Sequence, residues 1–238
     1  MKNPNPSSIT VQFFKLTFML VVSAMSWCDA ELLSAEFKLD RYEAEIRRFE
    51  TEDAVKPPSP GAILFTGSSS VVKWSSLSKD FSGLPVLNRG FGGSTWRELN
   101  HYFLRVVPQC RPRAVVVYEG DNDLAMGRTV EECVADFEAF RSLMKIHLPG
   151  VPVAILAVKP SPSRRQFQQA QERLNSTIRE RVATAPNWEF LDVASVLVDD
   201  KGQPQTRFFE NDQLHLNREG YALWVPVVRR WAEKFGRP

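Results

Sequence analysis

The chain has 238 residues, of which 43% are hydrophobic and 24% charged, with a formal net charge of +2. That length supports one domain with a substantial core, and 12 Gly and 16 Pro are too few for a disordered chain. The near-neutral balance gives no electrostatic basis for a nucleic-acid or anionic-membrane partner.

The N-terminus stands apart. Lys2 and Lys15 flank a polar lead, and an apolar run from Leu16 to Trp27 follows. The run is shorter than the roughly 20 residues a membrane span requires. A basic lead, a short apolar core and small residues after it read as a signal peptide over 1–30, with Cys28-Asp29-Ala30 as the cleavage end. The expectation is an exported protein, periplasmic or secreted, with no stable membrane span after processing. An uncleaved N-terminal membrane anchor is the alternative. Processing would leave Cys110 and Cys133. Their positions, one before a strand and one in the next helix, favour two separate thiols over a disulfide. No Cys or His pair has metal-ligand spacing, so no metal is expected.

Residues 31–60 read as an N-terminal helix and a Pro-rich connector. Leu39, Tyr42, Ile46 and Phe49 follow helical spacing, and Lys56-Pro57-Pro58-Ser59-Pro60-Gly61 ends the pattern. The main domain, 61–238, opens with an apolar strand over about 62–66, which breaks into Gly67-Ser68-Ser69-Ser70. A second strand, Leu84 to Asn88, leads into the Gly-rich loop Arg89-Gly90-Phe91-Gly92-Gly93-Ser94-Thr95. Ser94 or Thr95 caps the helix that carries Trp96, Leu99, Tyr102, Phe103 and Val106.

The β-branched run Ala114 to Tyr118 predicts a third strand, which ends in Glu119-Gly120-Asp121-Asn122-Asp123. An amphipathic helix covers about 129–147, a fourth strand Val151 to Val158, and a polar helix about 164–184. A fifth strand, Trp188 to Asp192, precedes an irregular stretch containing Asp212-Gln213-Leu214-His215, and a last helix covers about 217–235. Five strand–helix alternations predict a doubly wound α/β fold, a mostly parallel sheet with helices on both faces. The loops after the first three strands then gather at the carboxyl edge, where such sheets bind ligands.

Those loops carry chemistry. A serine is a weak nucleophile until a base lies within hydrogen-bond reach, and histidine is the usual base. Of the three histidines, His101 lies on the polar side of a helix and His147 at a helix end, whereas His215 lies in a loop ahead of a helix with Asp212 three residues before it. One turn can aim that carboxylate at one imidazole nitrogen while the other faces the serine. The backbone of Gly93 and the amide of Asn122 are suitable donors to a developing oxyanion. Trp74 and Trp96 read as packing beneath the loops, Arg89 as structural, Asp192 as a loop-orienting acid and Arg164-Arg165 as a solvated helix start.

Four blocks in this order resemble those of the SGNH/GDSL hydrolase superfamily, from about Ile63 to Trp224. Gly67-Ser68-Ser69 resembles the Gly-Asp-Ser block and places the nucleophile at Ser69, with Ser68 where the family has Asp. Asn88-Arg89-Gly90-Phe91-Gly92-Gly93 resembles the second block of the platelet-activating-factor acetylhydrolase-like branch. Gly120-Asp121-Asn122-Asp123 resembles the Gly-x-Asn-Asp block, and Asp212-Gln213-Leu214-His215 the Asp-x-x-His block. The resemblance implies a flavodoxin-like three-layer α/β/α fold, no cofactor or metal, and ester hydrolysis through an acyl-serine. It assigns Ser69, Asp212 and His215 as the catalytic residues and the Ser69 N–H, Gly93 N–H and Asn122 amide as the oxyanion hole.

The expected substrate is a small-molecule, glycan or lipid ester, with the branch leaning toward short acyl groups. A non-catalytic module binding carbohydrate or anions on the same loops is the competing reading. A nucleotide-binding domain is not supported, since Gly90-Phe91-Gly92-Gly93 lacks the required glycine spacing.

Overall fold

Each buried apolar run forms a strand, and each strand leads into a loop and at least one helical segment. The computed structural model describes residues 39–236. The expected signal peptide, its cleavage end at Ala30 and the segment up to residue 38 lie outside the described residues. The strands are β1 (Ile63–Gly67), β2 (Val86–Gly90), β3 (Ala114–Tyr118), β4 (Val153–Leu156) and β5 (Trp188–Leu191). They form one sheet in the order β2-β1-β3-β4-β5, and all four neighbouring pairs are parallel.

Main helices are α1 (Glu43–Val55), α2 (Ser69–Val72), α3 (Leu77–Asp80), α4 (Trp96–Val106), α5 (Asp121–Ala125), α6 (Val130–His147), α7 (Gln168–Ala183) and α8 (Arg218–Ala232). Side chains alternate along each strand, so the sheet feeds two cores. Val115 and Val117 of β3 join one core with Ile46, Phe49, Trp96, Phe137 and Leu174. Ala114, Val116 and Tyr118 join the other with Trp74, Phe81, Tyr221 and Trp224. Helices thus cover both faces, giving three α/β/α layers.

Thr95 and Thr129 start α4 and α6 with capping boxes closed by Glu98 and Glu132. Trp74 and Trp96 are fully buried packing residues; the Trp74 indole also donates to Asp80 at 2.8 Å. Cys110 and Cys133 are free buried thiols. Among the described residues, no helix is long and apolar enough to cross a membrane.

Two strands differ from the sequence pattern. β2 starts at Val86, because Leu84 closes a turn onto Phe81 and Pro85 has no N–H to give. β4 ends at Leu156, and at Val158 the Asn175 side chain takes over the ladder, bonding both the N–H and the C=O at 2.8 Å. Helices α3 and α5 span only 4 and 5 residues, too short to register as a period in sequence.

Successive strands leave β1 in opposite directions, β2 to one side and β3 to the other. The crevice beyond their carboxyl ends is the topological switch point, the usual ligand site of such sheets.

Candidate active site

Gly67 ends β1 with φ 116°, and a Cβ there would lie 2.2 Å from the Tyr118 carbonyl oxygen. Only glycine fits, so the chain turns sharply off the strand. Ser68 follows, its N–H donating to Tyr118 O at 3.0 Å and its carbonyl accepting from Val71 at 2.8 Å and Val72 at 3.2 Å. Ser69 is then the first residue of α2, with its N–H among the donors a helix leaves unpaired. Of the three adjacent serines, Ser69 is the one whose hydroxyl reaches a histidine. Its Oγ lies 3.0 Å from His215 Nε2. Ser68 and Ser70 are buried.

The base and its acid come from the loop ahead of α8. Asp212 Oδ1 accepts the backbone N–H groups of Leu214 and His215, both at 2.9 Å, in an Asx-type turn that carries Gln213 at φ 55°. This leaves Oδ2 facing His215 Nδ1 at 2.6 Å. Desolvation opposes ionisation of Asp212. The His215 ring and the two backbone N–H groups outweigh it and hold the carboxyl well below the usual carboxylate range. The acid is therefore charged where the imidazole needs a fixed tautomer, with Nδ1–H toward Asp212 and Nε2 open to the Ser69 proton. An open depression of about 490 Å³, lined by Lys73, Glu210, Asn211, Asp212 and Leu216, adjoins the pair.

Asn122 sits in the first turn of α5, behind β3. Its Nδ2 donates to Ser94 O at 2.9 Å and lies 3.6 Å from where a Gly93 Cβ would stand. The two loops expected to supply oxyanion donors therefore meet. The Gly93 N–H, however, donates to the Tyr42 hydroxyl at 2.9 Å. Tyr42 precedes α1 and packs so closely on Gly92 that a Cβ there would come within 1.9 Å of its ring. Sequence periodicity marked Tyr42 as core and gave no sign of this bond.

Beneath these loops lies a buried charged layer. Asp121 binds Arg164 at 2.7 Å and Lys159 at 3.3 Å. Burial opposes the Asp121 charge, but the two cations keep its carboxyl below the usual range. Burial draws the Lys159 ammonium down from its ordinary value, with Asp121 opposing. Glu119, bonded by the Ser94 hydroxyl at 2.5 Å, is pushed well above the carboxylate range by burial and by Asp123. Burial likewise pushes Asp123 up to about 7, against the bond from the Trp96 N–H. Arg164 also donates to Asn122 Oδ1 at 2.9 Å, which corrects its reading as part of a solvated helix start. Asp192 accepts the Ser195 N–H at 3.0 Å and orients its loop, and Arg89 is structural, paired with Asp53 and lying over the Phe49 ring. Among the described residues, no group of three or more His, Cys, Asp or Glu side chains is placed to hold a metal ion.

A parallel α/β/α sandwich with a serine, a histidine and an aspartate joined at its switch point is the architecture of a class of hydrolases. The GDSL-like lipase/acylhydrolase family model matches residues 60–223, and the chain belongs to that family. Membership brings ester hydrolysis as the general activity. A Streptococcus pneumonia protein described provisionally as a platelet activating factor has 21% identity and a TM-score of 0.71, over 89% of this chain and 99% of its own. A GDSL-like lipase from Bacteroides thetaiotaomicron has 22% identity and a TM-score of 0.67, over 80% and 98%. The acetylxylan esterase Axe2 of Geobacillus stearothermophilus, as a catalytic serine-to-alanine mutant, has 13% identity and a TM-score of 0.60, over 76% and 98%. At these identities the likeness is one of fold. No curated protein gives a significant sequence match.

Proposed function

We propose that the protein is a serine esterase that hydrolyses short-chain carboxylic esters, acetyl esters first among them, through an acyl-serine intermediate. The observation that carries this reading is the hydrogen-bonded chain from Ser69 Oγ through His215 to Asp212, at 3.0 and 2.6 Å. His215 Nε2 takes the Ser69 proton as Oγ attacks the ester carbonyl carbon. Charge develops on the carbonyl oxygen, with the Ser69 N–H, the Gly93 N–H and the second Nδ2 hydrogen of Asn122 as its donors. The tetrahedral adduct collapses, and Nε2–H protonates the departing alcohol. Water then gives its proton to Nε2 and attacks the acyl carbon; as the second adduct collapses, Nε2–H returns the proton to Ser69 Oγ and the acid is released. Asp212 stays ionised throughout and steadies the imidazolium.

The preference for acetyl groups rests on the acetylxylan esterase among the fold relatives and on the acetylhydrolase-like second block. The N-terminal pattern supports an exported enzyme, hence envelope, glycan or external lipid esters. Replacing Ser69 by Ala should lower kcat on p-nitrophenyl acetate by at least about 10³-fold with the fold intact. Retention of wild-type kcat would overturn the assignment, and a non-catalytic binding module would show no Ser69-dependent turnover at all.

A further inference from the structure

Asn122 is held by groups that its own motif does not contain. Its Oδ1 accepts from Arg164 Nη2 at 2.9 Å while its Nδ2 donates to Ser94 O at 2.9 Å. Rotating the amide by half a turn would set Oδ1 against a carbonyl and Nδ2 against a guanidinium, so one orientation is fixed. The same guanidinium spans to Asp121 Oδ1 at 2.7 Å, a planar fork over two adjacent residues of α5. Arg164 is well covered, its side chain 16% exposed, and Asp121 beneath it is further tied by Gln171 at 3.1 Å and Lys159 at 3.3 Å.

The segment that presents Arg164 is itself braced. It follows β4, runs through Pro160 and Pro162, and turns at Arg164 with the non-helical angles φ −121° and ψ 28°. The Arg164 N–H donates to Ser161 O at 3.1 Å. One residue earlier, the Ser163 N–H donates to Gln213 O at 3.1 Å, inside the Asp212–His215 turn. A single short segment therefore touches both the oxyanion amide and the loop of the base.

We propose that Arg164 is the positioning residue of the oxyanion amide, fixing Asn122 through Oδ1 and strengthening Nδ2 as a donor by a charge-assisted bond. The proposal rests on the esterase reading above. A cation on the carbonyl end of an amide draws electron density from its nitrogen, and the N–H groups become better donors. That gain is largest when the acceptor is an oxyanion, so the effect belongs to kcat and not to substrate binding.

The test is a double-mutant cycle on p-nitrophenyl acetate with Arg164→Met, Asn122→Ala and the pair. Arg164→Met is expected to lower kcat about 10- to 100-fold, part of what a lost oxyanion donor costs, with KM within two-fold. In the Asn122→Ala background the same change should cost less than two-fold, and added guanidinium should partly restore the single variant. Arg164→Lys keeps a charge beside buried Asp121 and provides the measurement if the Met variant folds poorly. Its single ammonium lacks the planar fork that spans both oxygens, and a loss of five-fold or more is expected. Wild-type kcat in the single variants, or the same factor lost with and without Asn122, would overturn the role of Arg164. Equal turnover by wild type and Ser69→Ala would instead overturn the esterase reading itself.

Discussion

Ser68, Ser69 and Ser70 differ in what they touch: Ser68 and Ser70 are buried, and the Ser69 hydroxyl meets His215. Gly67 and the apolar strand before it signalled a turn at a sheet edge, but three consecutive serines offer three hydroxyls. The turn at Gly67 and the start of α2 put only Ser69 within 3.0 Å of His215. The acids beneath the site were equally opaque, because burial is a tertiary property. Burial pushes Asp123 up to about 7, whereas an unfolded Asp titrates near 3.9. Between those values the folded chain keeps a proton that the unfolded chain has released. Asp123 therefore stabilises the fold at the acid end of that window, and the contribution is lost as pH rises to about 7, at up to roughly 1.4 kcal/mol per pH unit. Asp123→Asn should lose less stability than wild type between pH 5 and pH 7.5 in urea midpoints. Parallel pH slopes for the two proteins would show that Asp123 does not carry this proton.

At the scale of elements, helix α1 was legible from the spacing of Tyr42, Ile46 and Phe49, but its reach into the site was not. Tyr42 sits 51 residues before Gly93 and accepts that residue's N–H at 2.9 Å. An ester oxyanion must share or displace the hydroxyl to use the same hydrogen. Tyr42→Phe keeps the ring that packs on Gly92 and frees the N–H. A rise in kcat of about 2- to 10-fold is expected, the worth of one net hydrogen bond. A ten-fold fall in steady-state kcat would show instead that the hydroxyl assists the reaction. The segment after β4 carried a comparable surprise. Arg164-Arg165 at the head of a polar helix reads as surface, since nothing local shows that Arg164 faces Asp121 and Asn122. Pairings between loops after different strands depend on strand order, and local periodicity does not encode strand order. Blocks that keep motif and loop together, such as β3 with Gly120-Asp121-Asn122-Asp123, were readable because one strand and its turn define them.

For the molecule as a whole, alternation of strands and helices gave the layers, and the parallel order β2-β1-β3-β4-β5 explains the meeting of the parts. Ser69 follows β1, Gly93 follows β2 and Asn122 follows β3, so the three donors proposed for the oxyanion arise from the three strands around the switch point. His215 and Asp212 arrive from the other end of the chain, placed by α8 and by the bridge between Phe209 and Leu216. Local stability and function are coupled here, because a loop that shifts misplaces a donor without unfolding the sheet. The most direct test of Ser69 as a nucleophile activated by His215 is labelling with a fluorophosphonate followed by peptide mass mapping. The expected result is one adduct, on the peptide carrying Ser69, absent in Ser69→Ala and formed at least about 10²-fold more slowly in His215→Ala. An adduct on another residue, or labelling of Ser69→Ala at the wild-type rate, would contradict it.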